Sequence, residues 1–113
     1  MEKLTLVPNL TGAIFIMAGL VMLIFPPKKI NNLYGYRTQR SMRTIENWNF
    51  AQRLCAKLLL IAGSLLSLIG IGGIVFGLNE KIIDSFGLIS MIIFAIILII
   101  ITEIRIKKFE KSL

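Results

Sequence analysis

Three stretches of this chain carry no charged side chain at all. They cover residues 4–27, 58–79 and 85–102 and contain 24, 22 and 18 residues. A helix rises about 1.5 Å per residue, so roughly 20 mainly apolar residues cross a hydrocarbon core of about 30 Å. Each stretch is at or near that length, and together they use most of the 113 residues. The expected fold class is all-α integral membrane. It has three transmembrane helices at about 4–25, 58–79 and 85–104, in a single domain over 1–113. A motif-bearing loop at 26–57 includes an amphipathic helix leading into the second span. Too little chain remains for a soluble catalytic domain, which excludes a soluble enzyme.

The residue inventory narrows the chemistry further. The chain has no histidine and a single cysteine, Cys55. A lone cysteine forms no intrachain disulfide. Zinc, haem and iron–sulfur sites lack their usual ligands, and a histidine-based catalytic triad is impossible. No metal, no cofactor and no catalytic residue is expected.

The first apolar run is read as a retained helix. A secretory leader has an apolar core of about 7–15 residues after a basic start and ends in a small-residue cleavage site. Here Met1-Glu2-Lys3 balances to no net side-chain charge and the run continues to Pro26-Pro27. The net charge of +7 comes from 13 Lys+Arg against 6 Asp+Glu, and it is unevenly spread. Residues 26–57 hold Lys28, Lys29, Arg37, Arg40, Arg43, Arg53 and Lys57, and the tail holds Arg105, Lys107, Lys108 and Lys111. Only Lys3 and Lys81 fall at the other ends of the spans. Basic residues flanking spans stay in the cytoplasm, so the amino terminus is expected outside and the loop and carboxyl terminus inside the cell membrane. The same asymmetry favours anionic lipid headgroups as partners, and nucleic-acid binding need not be invoked.

In the second span Gly63, Ser67, Gly70, Gly73 and Gly77 recur at intervals of four, three, three and four, which places them on one helix face. Small residues let helix backbones approach closely in lipid. The stripe is read as a packing face toward the first helix, a second copy of the chain in a homo-oligomer, or both. A pore along it is the competing reading, but ionisable residues, which mark ion and proton paths, are missing from the spans.

The informative segment is the loop. Pro26-Pro27 should stop the first helix near Phe25. Asn31, Asn32 and Gly35 are turn formers, and Tyr34 and Tyr36 suit the headgroup level. From Ser41 the pattern turns helical, with Ser41 or Thr44 as N-cap and Glu46 in the first turn. Met42, Ile45, Trp48, Gln52, Cys55 and Leu59 recur at helical spacing, and Arg43, Glu46, Asn47, Arg53 and Lys57 fill the other face.

Within this segment, Asn31-x-x-x-Gly35-Tyr36-Arg37-Thr38, then Ser41-Met42, then Glu46-x-Trp48-x-x-Ala51-Gln52-Arg53 resembles the signature of the SdpI family. Those are small bacterial membrane proteins named for an immunity protein against a secreted cannibalism peptide toxin. Three positions depart from the family pattern. Lys29 stands where a proline is usual, Gln52 where histidine or asparagine is common, and Cys55 where glycine is frequent. The resemblance implies protection against a membrane-active peptide and a site built from the motif residues.

Read from the residues alone, Arg37 offers a planar fork of donors suited to a carboxylate or phosphate. Glu46 is its expected partner, pinning the turn to the helix. Trp48 is expected to give its indole N–H to a loop carbonyl or a headgroup. Asn31 and Thr38 should brace the turn by side-chain-to-backbone bonds. Alternatively Arg37, Arg40 and Arg53 form one pocket for an anionic group. Glu103 is assigned to Lys107, four residues on. Besides toxin immunity, two functions stay open. One is a scaffold that recruits a cytoplasmic regulator to the basic loop. The other, less favoured, is a lipid- or peptide-directed enzyme or transporter using Glu46 with Arg37.

Overall fold

The computed structural model describes residues 6–31 and 33–113. Three helices make the fold: α1 (Leu6–Ile24), α2 (Ile45–Val75) and α3 (Glu80–Ser112). No strand occurs among the described residues. At 31 and 33 residues, α2 and α3 are long and apolar enough to cross a membrane. Ile92, Ile93, Ile96, Ile97, Ile99 and Ile100 of α3 are each close to half exposed. A helix apolar on every side belongs inside protein or lipid, and an exposed surface of this extent suits lipid.

Local chemistry sets the helix ends. α1 stops at Ile24, directly before Phe25 and the two prolines, which lack the N–H needed to continue. Thr44, in extended conformation, caps α2 by accepting the Asn47 N–H at 3.0 Å. Past that cap no proline or glycine interrupts the chain before Gly63, so α2 runs unbroken from the loop into its apolar half. The stretch read as leading into the second apolar run thus forms one helix with it, and Ser41, one of the two N-cap candidates, lies outside α2 in the preceding turn.

The other end of α2 closes with a Schellman motif. The Leu78 N–H returns to the Gly73 carbonyl at 2.9 Å and the Gly77 N–H to Ile74 at 3.0 Å. Gly77 takes φ +68°, a left-handed conformation that disfavours any side chain. It therefore does not belong to the packing face on which its spacing placed it, and a β-carbon there would meet nothing within 4 Å. Asn79 then caps α3 by accepting from the Lys81 N–H at 2.7 Å.

The remaining small residues set the distance between helices. A β-carbon on Gly63 would lie 2.7 Å from the Gly12 carbonyl oxygen, and one on Gly12 would lie 2.5 Å from the Ser67 hydroxyl. Gly19 meets the Ala56 carbonyl, and Gly70 packs on the side chain of Asn9. These contacts join α1 to α2 with backbone nearly on backbone. α3 attaches differently: Gly73 receives Ile83, and Gly87 receives Pro8 of α1.

A test of this packing follows from two glycines of one helix. Gly63→Val pushes a side chain into the backbone of α1 and should cost about 1–3 kcal/mol. Gly72 has open space around it, and Gly72→Ala should be neutral or stabilising by up to about 1 kcal/mol. Unfolding temperatures of the two variants in detergent should move in opposite directions or differ by several degrees.

Candidate functional site

The segment between α1 and α2 folds across the end of the bundle, and its backbone is held largely by side chains. Asn31 makes the first turn: its Oδ1 accepts from the Leu33 and Tyr34 N–H groups at 2.9 and 2.7 Å, and its amide donates to the Lys29 carbonyl at 2.9 Å. The Tyr34 hydroxyl donates to the Phe25 carbonyl at 2.7 Å, supplying the donor that the prolines beyond α1 lack. The Trp48 indole N–H donates to the Pro27 carbonyl at 2.6 Å, with the ring fully buried. Of the two partners expected for that indole, the loop carbonyl is the one it meets.

Gln52 makes the central contact. Its Oε1 accepts the Tyr36 N–H at 2.6 Å, and its amide nitrogen donates to the Tyr36 carbonyl at 2.7 Å. One side chain thus pairs with both polar groups of a single residue, as a neighbouring strand does, while only 2 % exposed. Room for it depends on Gly35, where φ is +103° and a β-carbon would lie 2.5 Å from Gln52 Oε1.

Beyond Tyr36, Thr38 and Ser41 pair reciprocally. The Thr38 N–H donates to Ser41 Oγ at 2.8 Å and the Ser41 N–H to Thr38 Oγ1 at 3.1 Å. The loop then reaches two carboxylates on α3. Glu103 accepts from the Tyr36 hydroxyl at 2.6 Å and the Thr38 hydroxyl at 2.8 Å, and lies 3.6 Å from Arg40 Nε. Glu110, two turns on, accepts from the Asn47 amide at 2.7 Å and pairs with Arg40 at 3.4 Å and Arg43 at 3.5 Å. The Asn47 amide also donates to the Arg40 carbonyl at 3.1 Å. Arg40 therefore bridges the two acids.

This environment shifts two groups. Burial, and then the bond to Glu103, hold the Tyr36 phenol far above its ordinary range, so it stays a donor. The Asn47 hydrogen bond, then Arg43 and Arg40, hold the Glu110 carboxyl below the usual 4.5.

Several sequence expectations are corrected by these partners. Arg37 and Glu46 are both exposed and form no ion pair with each other, because the acids that the loop engages come from α3. Glu103 is taken up by Tyr36, Thr38 and Arg40, not by Lys107. Arg37, Arg40 and Arg53 do not share one pocket. Arg40 is spent on the two acids, whereas Arg53 lines a separate cleft with Lys57, Arg105 and Glu46. Sequence reasoning missed Glu103, Glu110 and the buried Asn47 as members of the site. Two acids seven residues apart in an otherwise basic tail share one helix face, and that was the available signal.

A lateral groove of about 600 Å³ opens beside the loop, lined by Ile14, Met17, Val21, Met22, Tyr34 and Leu59 among others. It is almost wholly apolar and borders the buried Tyr36.

The SdpI/YfhL protein family model matches residues 28–104, a span that contains the loop, all of α2 and most of α3. The uncharacterized protein YfhL of Bacillus subtilis (strain 168) is 38 % identical over 96 residues, covering 85 % of this chain and 82 % of that one. No solved structure matches the chain.

Two measurements check the site. Gln52→Leu leaves the buried Tyr36 N–H without an acceptor and should cost about 1–3 kcal/mol, read as a lower unfolding temperature in detergent. For Glu110 the sign follows from its depressed pKa. Its contribution is present above 4.5 and is lost as pH falls through its lower folded value. The unfolding temperature should fall below pH 4.5, and Glu110→Gln, already lowered at neutral pH, should fall less steeply.

Proposed function

The chain belongs to the SdpI/YfhL protein family, and from that premise we propose that it is a bacterial inner-membrane protein conferring immunity against a membrane-active peptide toxin. In this reading α1 is a third span, the amino terminus is outside, and the loop and carboxyl terminus are cytoplasmic. Support comes from the positive flanks and from the way loop and tail meet, since Arg40 and Arg43 pair with Glu110. The longest dimension, 51 Å, exceeds the about 40–45 Å of a whole bilayer, which leaves room for the loop layer at one face.

One observation carries the immunity reading. Within a motif whose Tyr36, Ser41, Trp48 and Gln52 are buried and spent on architecture, Arg37 is exposed and forms no ion pair among the described residues, and the apolar groove opens beside the same turn. A cation next to an apolar groove at the headgroup level fits an amphipathic peptide, whose apolar side enters the groove while a carboxylate meets Arg37. The protein acts here by binding and not by catalysis. A second reading, recruitment of an acidic cytoplasmic regulator, is favoured by the exposed Lys28, Lys29 and Arg37 on the same loop.

Survival of a toxin-sensitive bacterium challenged with a cannibalism-type peptide tests the proposal. Expression of this chain should protect, and Arg37→Ala should reduce protection at unchanged membrane abundance. Trp48→Ala, which leaves the buried Pro27 carbonyl without its donor, should lower abundance as well. No protection by the well-expressed wild type overturns immunity and favours recruitment.

A further inference from the structure

Five of the cations near the α2–α3 seam differ in their surroundings. Arg40 and Arg43 are consumed by Glu103 and Glu110. Arg53, Lys57 and Arg105 are exposed, and none of them forms an ion pair among the described residues, although they come together in one cleft of about 640 Å³ between α2 and α3. Glu46 is the only acid in the lining, so three cations face one carboxylate. The wall is apolar: Phe50 of α2 and Phe109 of α3 stack with ring centroids 4.5 Å apart and planes within 10°. Three cations around one carboxylate leave the cleft with an excess of positive charge, which attracts an anion.

A second groove lies next along the same pair of helices. It measures about 260 Å³ and is lined by Leu58, Ile61 and Leu65 of α2 and by Phe94, Ile97 and Ile101 of α3. Leu58 follows Lys57 directly, and Ile101 lies one turn from Arg105, so the apolar groove begins where the basic cleft ends. From Leu58 to Leu65 it runs about 10 Å along the helix. The order along the α2–α3 seam is basic, then apolar, in the direction that leads from headgroup level toward the middle of the bilayer.

We infer that the α2–α3 seam binds one anionic phospholipid, its phosphate held by Arg53, Lys57 and Arg105 and an acyl chain laid in the groove over Ile61, Leu65 and Ile97. The inference rests on the membrane reading above. Charge complementarity selects the headgroup, and the apolar groove next to the basic cleft selects a lipid over a free anion. The site is distinct from the loop turn around Tyr36 and from the lateral groove beside α1. It also has a structural consequence: a lipid in this seam adds to the Phe50–Phe109 stack in joining α3 to α2.

Native mass spectrometry of the full chain, released from detergent with equal amounts of phosphatidylglycerol and phosphatidylethanolamine, reads the proposal directly. The expected result is retention of one phosphatidylglycerol with a preference of about tenfold, the effect of losing roughly one to two cation–headgroup contacts. The combined variant Arg53→Gln, Lys57→Gln, Arg105→Gln should abolish the preference, and Lys28→Gln with Lys29→Gln, which also removes charge from the loop face, should leave it. Leu65→Trp, which fills the exposed groove without touching the cations, should reduce retention independently of headgroup. Glycerol 3-phosphate in excess should not compete; full competition overturns a lipid occupant in favour of a soluble anion. Equal retention of both lipids by the wild type, or a preference that survives the triple variant, overturns the site. Carbonate extraction separates the two failures. A chain released into the soluble fraction overturns the membrane reading together with this one, whereas an inserted chain without preference overturns this one alone.

Discussion

The pairing of Gln52 with both backbone groups of Tyr36 is the contact on which the rest of this end of the molecule depends. A loop laid across an apolar bundle has no neighbouring strand and little water to satisfy its N–H and C=O groups, and each one left unpaired is costly. Gln52 supplies a donor and an acceptor at strand-like distances from within a helix. Fixing Tyr36 fixes its hydroxyl on Glu103, which in turn aligns Thr38 and Arg40. Gly35 belongs to the same device, since any β-carbon there meets the Gln52 amide.

Two kinds of attachment hold the three helices. α1 and α2 are joined by close backbone approach at Gly12, Gly63 and Gly19, which gives dispersion contact over a long seam without charged groups. α3 meets its neighbours chiefly at its two ends, through Gly87 with Pro8 and Gly73 with Ile83 at one and through Glu103 and Glu110 at the other. The middle of α3 is broadly exposed. The ionic end is the more sensitive to conditions, because its strength depends on the charge of two partly exposed carboxylates.

Much of this was legible in the sequence, and the parts that were not share a cause. Charge-free runs, Pro26-Pro27 and the Thr44 position report local rules, and the helices follow them. The spacing of Gly63, Ser67 and Gly70 implies one close-packed face, and those residues do meet α1. Gly77 was misplaced because spacing continues past a helix end that only the Schellman bonds define. Arg37 was assigned to Glu46, and Glu103 to Lys107, because those partners are near in the chain. The loop instead closes on acids more than 60 residues away. Nothing local in a sequence ranks such a contact above a neighbouring one. Family resemblance located the segment, but not the α3 residues that complete it.

The carboxylates that close the loop also impose an order in time. Chains emerge from the ribosome amino terminus first. Residues 28–44 are therefore made, and α1 and α2 can pair through their glycines, well before Glu103 and Glu110 exist. Until α3 has been made and has packed against the loop, Arg40 and Arg43 lack their counter-charges and Tyr36 its acceptor. Closing of the loop is therefore the last step that the order of synthesis allows, because every acid it closes on belongs to the helix made last.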